Sequence, residues 1–211
     1  MDELELLKKD WQQRKQVYPN LSHTDIYNLL HKKSSSIVKW IFIIGIAEFI
    51  FWGVLNLFIP DRIFDIYDQL HLKKILSYSY IFHYTVSIVF LYLFYNNHKA
   101  IRVTDSTNNL MKNIIKTRKT VNFYVYYNIG LYVILSVVFN IVLFSDVDLL
   151  LQVMTPEKLN IDQSKFFNMF LITQIIVLVV MCGLLYLYYR IIYGILLRKL
   201  NKNYNELESL E

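Results

Sequence analysis

The chain has 211 residues, is 55% apolar and only 18% charged, and carries a formal net charge of +5 with a mean hydropathy of +0.33. A typical soluble domain is about 45–50% apolar and 25% charged, so the composition excludes both an ordinary soluble domain and a disordered chain. Five Gly and three Pro punctuate too rarely for an all-β fold, and the one cysteine, Cys182, excludes an intrachain disulfide framework or a Cys-rich zinc site.

What remains is an all-α integral membrane protein, a four-transmembrane-helix bundle with helical segments outside the bilayer. Residues 1–36 read as two cytoplasmic amphipathic helices. Asp2 and Glu5 stand at capping-box spacing, and Leu4, Leu7 and Trp11 form one apolar stripe. Pro19 and Asn20 interrupt it. Ser22 then restarts the pattern as an N-cap, with Ile26, Leu29 and Leu30 as a second apolar edge.

Residues 37–192 hold the membrane bundle. A helix needs roughly 20 apolar residues to cross the hydrocarbon core, and four stretches qualify: residues 40–59, 75–95, 121–144 and 166–189. The first follows about 36 mostly polar residues, which is the wrong layout for a removed signal peptide.

Between spans one and two, Pro60 starts a short segment with Ile63, Phe64, Tyr67 and Leu70 on one face, as an interfacial helix requires. Its other face carries Asp61, Asp65, Asp68 and His71, spaced 4, 3 and 3. Oxygen and imidazole ligands at such spacings can hold a divalent cation. A solvated face opposite an apolar stripe is the simpler reading, and no metal or other cofactor is assigned to the chain.

Residues 96–120 continue spans two and three inward, with a turn at residues 105–109. Their basic side chains read as a lipid-facing collar, since no nucleic-acid motif or interleaved stacking aromatics accompany them. The outer loop, residues 145–165, holds a helix start at Thr155-Pro156-Glu157. Residues 193–211 form a cytoplasmic C-terminal helix in which Tyr193, Leu196, Leu200, Tyr204, Leu207 and Leu210 follow a short heptad pattern. Its apolar edge, like that of the N-terminal helices, can pack on the protein's own inward helices, on a cytosolic protein partner, or on a second copy.

Seventeen of the 22 Lys and Arg residues fall before span one, between spans two and three, or after span four, against five in the other two loops. Positive residues stay inside, so the distribution predicts a multi-pass protein of the cell inner (cytoplasmic) membrane with both termini cytoplasmic. Aromatic residues crowd the span ends, among them Trp40, Tyr78, Tyr92, Tyr124, Tyr126, Tyr186 and Tyr189, and read as an interfacial belt.

Ionisable groups inside a span mark functional sites by default. Two occur, Glu48 in span one and His83 in span two. Counting about 1.5 Å per residue from the span edges puts Asn128 of span three near the level of Glu48, and Gln174 of span four near that of His83. These four form a predicted polar core or ligand-binding site. Gly45, Glu48, Trp52 and Asn56 share a face of span one, while Tyr124, Asn128, Tyr132, Ser136 and Asn140 repeat every four residues on span three. The structural reading is interhelical hydrogen bonding, with Glu48 protonated or paired to His83. The functional one is a site for a ligand, lipid or proton.

The opening Met1-Asp2-Glu3-Leu4-Glu5-Leu6-Leu7-Lys8-Lys9-Asp10-Trp11, then Asp25-Ile26-Tyr27 and Lys33-Ser34-Ser35-Ser36-Ile37-Val38-Lys39-Trp40-Ile41, resembles a family of small bacterial four-span membrane proteins of unestablished function. Some of these carry the label of carotene-cleaving oxygenase, which implies iron held by several histidines. Here His71 and His98 lie 12 and 15 residues from His83, about 18 and 22 Å along a helix, too far to share one ion with it. His23 and His31 fall in the cytoplasmic segment.

No Ser/His/Asp set, P-loop, GxGxxG or HExxH motif is present. The leading expectation is a non-enzymatic membrane protein presenting cytoplasmic helices for regulation or assembly. Its alternative is an intramembrane lipid- or isoprenoid-binding protein, or an oxygenase-like enzyme, using Glu48 and His83.

Overall fold

Ser22 opens the first helix with a full capping box. Its hydroxyl accepts from the Asp25 amide at 3.2 Å, and the Asp25 carboxylate accepts from the Ser22 amide at 3.1 Å and from its hydroxyl at 2.7 Å. Those bonds hold the Asp25 carboxyl below its ordinary range. The computed structural model describes residues 22–104, 106–154 and 162–209, with Glu5, Lys8 and Lys9. These form six helices and no strand: α1 (His23–Leu57), α2 (Asp61–Gln69), α3 (Lys73–Arg102), α4 (Thr107–Ser145), α5 (Val147–Met154) and α6 (Gln163–Glu208). The Asp2 cap, the Leu4, Leu7 and Trp11 stripe, the 155–157 helix start and Leu210 lie outside the described residues.

Four of these helices, α1, α3, α4 and α6, are long and apolar enough to cross a membrane. They outrun the spans read from hydropathy. The 46 residues of α6 extend about 69 Å, more than twice the roughly 30 Å hydrocarbon core. The boundaries drawn at residues 36 and 192 therefore fall inside unbroken helices. The turn placed at residues 105–109 is also shorter than expected, because Ser106 caps α4 and Thr107 is already helical.

The long helices form a ring in the order α1, α3, α4, α6, with α1 and α4 also meeting across the diagonal. Gly45 lets α1 approach α3 closely. A Cβ there would stand 3.1 Å from Phe94 Cδ2 and 3.2 Å from Leu91 Cδ2.

Packing is densest at the proximal end, where α1 begins and α6 finishes. Leu30, Val38, Ile101, Leu110, Ile114, Leu200 and Leu207 are there fully or almost fully buried. Tyr193, Leu200 and Leu207, seven residues apart, all point into this core, so the heptad edge of α6 is used within the chain. Side-chain bonds tie the same end together. Asn203 donates to the Ser34 hydroxyl at 3.0 Å, Asn97 to that of Thr120 at 3.1 Å, and Tyr27 to the Thr104 carbonyl at 3.1 Å. By contrast, Ile134, Ile141, Ile176 and Val179 stay more than half exposed, as a lipid-facing surface requires.

A second small core at the distal end joins Leu70, Leu72 and Leu150 from the chain around α2, α3 and α5. Helix α2 closes on His71, whose φ of 58° is left-handed. The Leu72 amide donates to the Tyr67 carbonyl at 2.8 Å and that of His71 to Asp68 at 3.1 Å, the two bonds of a Schellman ending. His71 thereby leaves the helix, so the row of Asp61, Asp65, Asp68 and His71 does not form. Asp68 instead pairs with Lys73 at 3.1 Å. Helix α5, capped by Asp146 accepting from the Leu149 amide at 2.9 Å, is an element that hydropathy did not reveal.

Candidate functional site: a buried carboxyl above an aromatic cavity

Glu48 sits on the inward face of α1, one turn from Gly45, and is only 4% exposed. Two phenols from different helices converge on one of its oxygens. Tyr124 of α4 donates to Oε2 at 3.0 Å, and Tyr193 of α6 donates to the same atom at 2.9 Å. The two rings meet edge to face with centroids 5.9 Å apart, and Tyr124 also stands edge-on to Phe94 at 5.5 Å. Tyr188 and Tyr189 stand near enough to interact with the same carboxyl. Its second oxygen, Oε1, is buried and has no hydrogen-bond partner.

Glu48 forms part of the wall of a cavity of about 280 Å³ to which all four long helices contribute. His83 and Ser87 line it from α3, Asn128 and Tyr132 from α4, and Met181 and Leu185 from α6. His83 stacks its ring on Tyr127, centroids 6.2 Å apart and planes 4° apart, and leaves Nδ1 buried without a partner. Asn128 turns its amide back to the Tyr124 carbonyl at 2.8 Å. Near the distal side Asn56 links α1 to α3, donating to the Tyr84 hydroxyl at 2.9 Å.

Three of the four predicted polar residues, Glu48, His83 and Asn128, thus share one cavity. Gln174 does not. It lines a separate groove of about 330 Å³ between α4 and α6 with Ser136 and Asn140, the distal part of the span-three stripe. The α6 residues beside Glu48 and His83 are instead Met181, Leu185 and Tyr189. Seven residues separate Gln174 from Met181, two turns or about 10 Å along the same face.

The expected pairing of Glu48 with His83 is replaced by the two tyrosines, and no ion pair of Glu48 occurs among the described residues. The aromatic belt also needs correcting. Trp40, Tyr78, Tyr92, Tyr126 and Tyr186 are more than half exposed, but Tyr124 and Tyr189 are core residues at 7% and 5%. Tyr193 belongs to the same carboxyl site, although its spacing suggested a packing seam. Among the described residues no three His, Cys, Asp or Glu side chains gather as metal ligands would.

A ring of four membrane-length helices around a buried carboxyl and an aromatic cavity defines a multi-pass helical membrane protein with a polar site in its interior. Residues 24–211 match the family described as Domain of unknown function (DUF8845), and the chain belongs to that family. No curated protein and no solved structure matches it.

Proposed function

We propose that this chain is a four-span protein of the cytoplasmic membrane that binds a small, largely apolar molecule in the cavity beside Glu48 and His83, with its proximal end in the cytoplasm. One observation carries the ligand reading. Glu48 Oε1 and His83 Nδ1 are both buried and unpartnered, and both residues line the same cavity. Leaving a buried polar group unpaired costs about 1–3 kcal/mol, so two such atoms on residues of one cavity favour a bound partner over interhelical bonding alone. A bound molecule supplies the missing partners. The cavity, near the small end of the range for ligand pockets, suits one ring or a short branched group.

The orientation rests on the distribution of Lys and Arg, which concentrates positive charge around the proximal end. Presentation of cytoplasmic helices for regulation or assembly remains as a companion reading. It draws on the continuity of α1, α3, α4 and α6, which line the cavity and then run on into the shared proximal core. Occupancy of the cavity therefore has rigid levers through which to reach cytoplasmic surfaces. Of the oxygenase-like alternative, only binding draws support from the cavity, since His83 is the single histidine lining it among the described residues.

Native mass spectrometry of protein extracted with its surrounding lipid tests the ligand reading. One small molecule retained per chain supports it. If none is retained at stoichiometric occupancy, Glu48 is interhelical glue.

A further inference from the structure

We infer that the molecule this cavity takes is a lipophilic organic cation, an ammonium or phosphonium centre surrounded by apolar carbon. The inference rests on the ligand reading above and narrows it to a chemical class. Among the described residues, Glu48 is the one acidic side chain lining the cavity, and no Lys or Arg lines it. Glu48 is only 4% exposed, and its Oε1 is left open while Oε2 is anchored from two sides.

The remaining wall is chiefly aromatic: Phe49, Trp52, Tyr84, Phe90, Tyr132 and Tyr189. Ring faces attract a cation through their quadrupole, most strongly where water is excluded, and quaternary ammonium groups are held by such cages. A cation beside ionised Glu48 forms a net-neutral pair, which removes the cost of a lone buried charge. An alcohol would fill the hydrogen-bonding vacancy at Oε1 but make no use of the aromatic wall. A bare metal ion needs several oxygen or nitrogen ligands, whereas the neighbours here are phenols and rings. An organic cation matches both features of the cavity at once, one carboxyl and a wall rich in aromatic rings.

The test uses the full-length protein in micelles, with benzyltrimethylammonium as the probe and neopentylbenzene, its uncharged carbon isostere, as the control at equal micellar concentration. Calorimetric titration should show one benzyltrimethylammonium bound per chain and no saturable binding of neopentylbenzene. Glu48→Gln should weaken the cation about tenfold or more. Trp52→Leu, at a cavity residue that is 43% exposed, should weaken it several-fold through loss of an aromatic ring, which keeps the test decisive if Glu48→Gln disturbs folding. Equal binding of both probes, unaffected by Glu48→Gln, would overturn the cation assignment while leaving an apolar ligand site intact. If neither probe binds but a native molecule is retained in mass spectrometry, the class is wrong and the ligand reading stands. If neither probe binds and nothing is retained, both fail.

Discussion

Removing the two phenols that hold Glu48 should cost far less singly than together. Tyr193→Phe deletes the 2.9 Å bond and leaves the 3.0 Å bond from Tyr124, and Tyr124→Phe does the reverse. Interhelical hydrogen bonds in membranes are worth about 0.6 kcal/mol on average and about 1.7 at most, so each single change should cost about 1 kcal/mol. Either ring keeps its edge-to-face packing as Phe, so little else changes. The double variant strips both bonds from Oε2 of a carboxyl whose other oxygen is already unpaired. Leaving a buried polar group unsatisfied adds a penalty of about 1–3 kcal/mol, so the pair should cost about 3 kcal/mol or more, beyond the sum of the singles. Reversible unfolding in mixed micelles with increasing dodecyl sulfate measures all three. Adding Glu48→Gln to each should shrink the coupling. Strict additivity to within about 0.5 kcal/mol would refute the claim that both phenols serve one carboxyl.

Three further outcomes follow from the proximal end. Asn203→Leu should cost about 1–3 kcal/mol by stranding the buried Ser34 hydroxyl, and the double variant with Ser34→Ala should recover part of that loss in the same unfolding assay. On a Cys182→Ser background, Ser106→Cys should react with an impermeant thiol reagent only after the cells are opened; labelling in intact cells would invert the proposed orientation. Burial, aided by the nearby charges of Arg102 and Lys39, lowers the pKa of His98 from its ordinary 6.5. Unfolded chain then takes up a proton that the folded protein resists, so stability should fall as the medium goes from about pH 7.5 to about pH 5.5. His98→Gln should flatten that dependence in thermal melts, and an unchanged slope would remove His98 from the account.

The membrane helices were legible because about 20 consecutive apolar residues have few other uses. Glu48, His83 and Asn128 were legible because a polar group in such a helix must find the interior. Their partners were not. Tyr124 stands at a span end, where hydropathy and an interfacial belt read alike, and Tyr193 falls on a heptad that describes packing without naming the neighbour. Gln174 shows what hydropathy lacks. The edges of an apolar stretch do not set the axial offset between helices, which packing decides, and an error of two turns moved Gln174 to another groove. Helix α5 is not legible in the sequence because its eight residues lie beside Thr155-Pro156-Glu157, a stronger local start signal.

The most direct test of a ligand site at Glu48 and His83 compares retained small molecules in native mass spectrometry across three proteins: the unaltered chain, Glu48→Gln combined with His83→Leu, and Gln174→Leu. All three should accumulate and purify as folded protein. The unaltered chain and Gln174→Leu should hold the same molecule at about one per chain, and the cavity variant should release it. Equal retention by all three, or loss from Gln174→Leu alone, would contradict the placement of the site at this cavity.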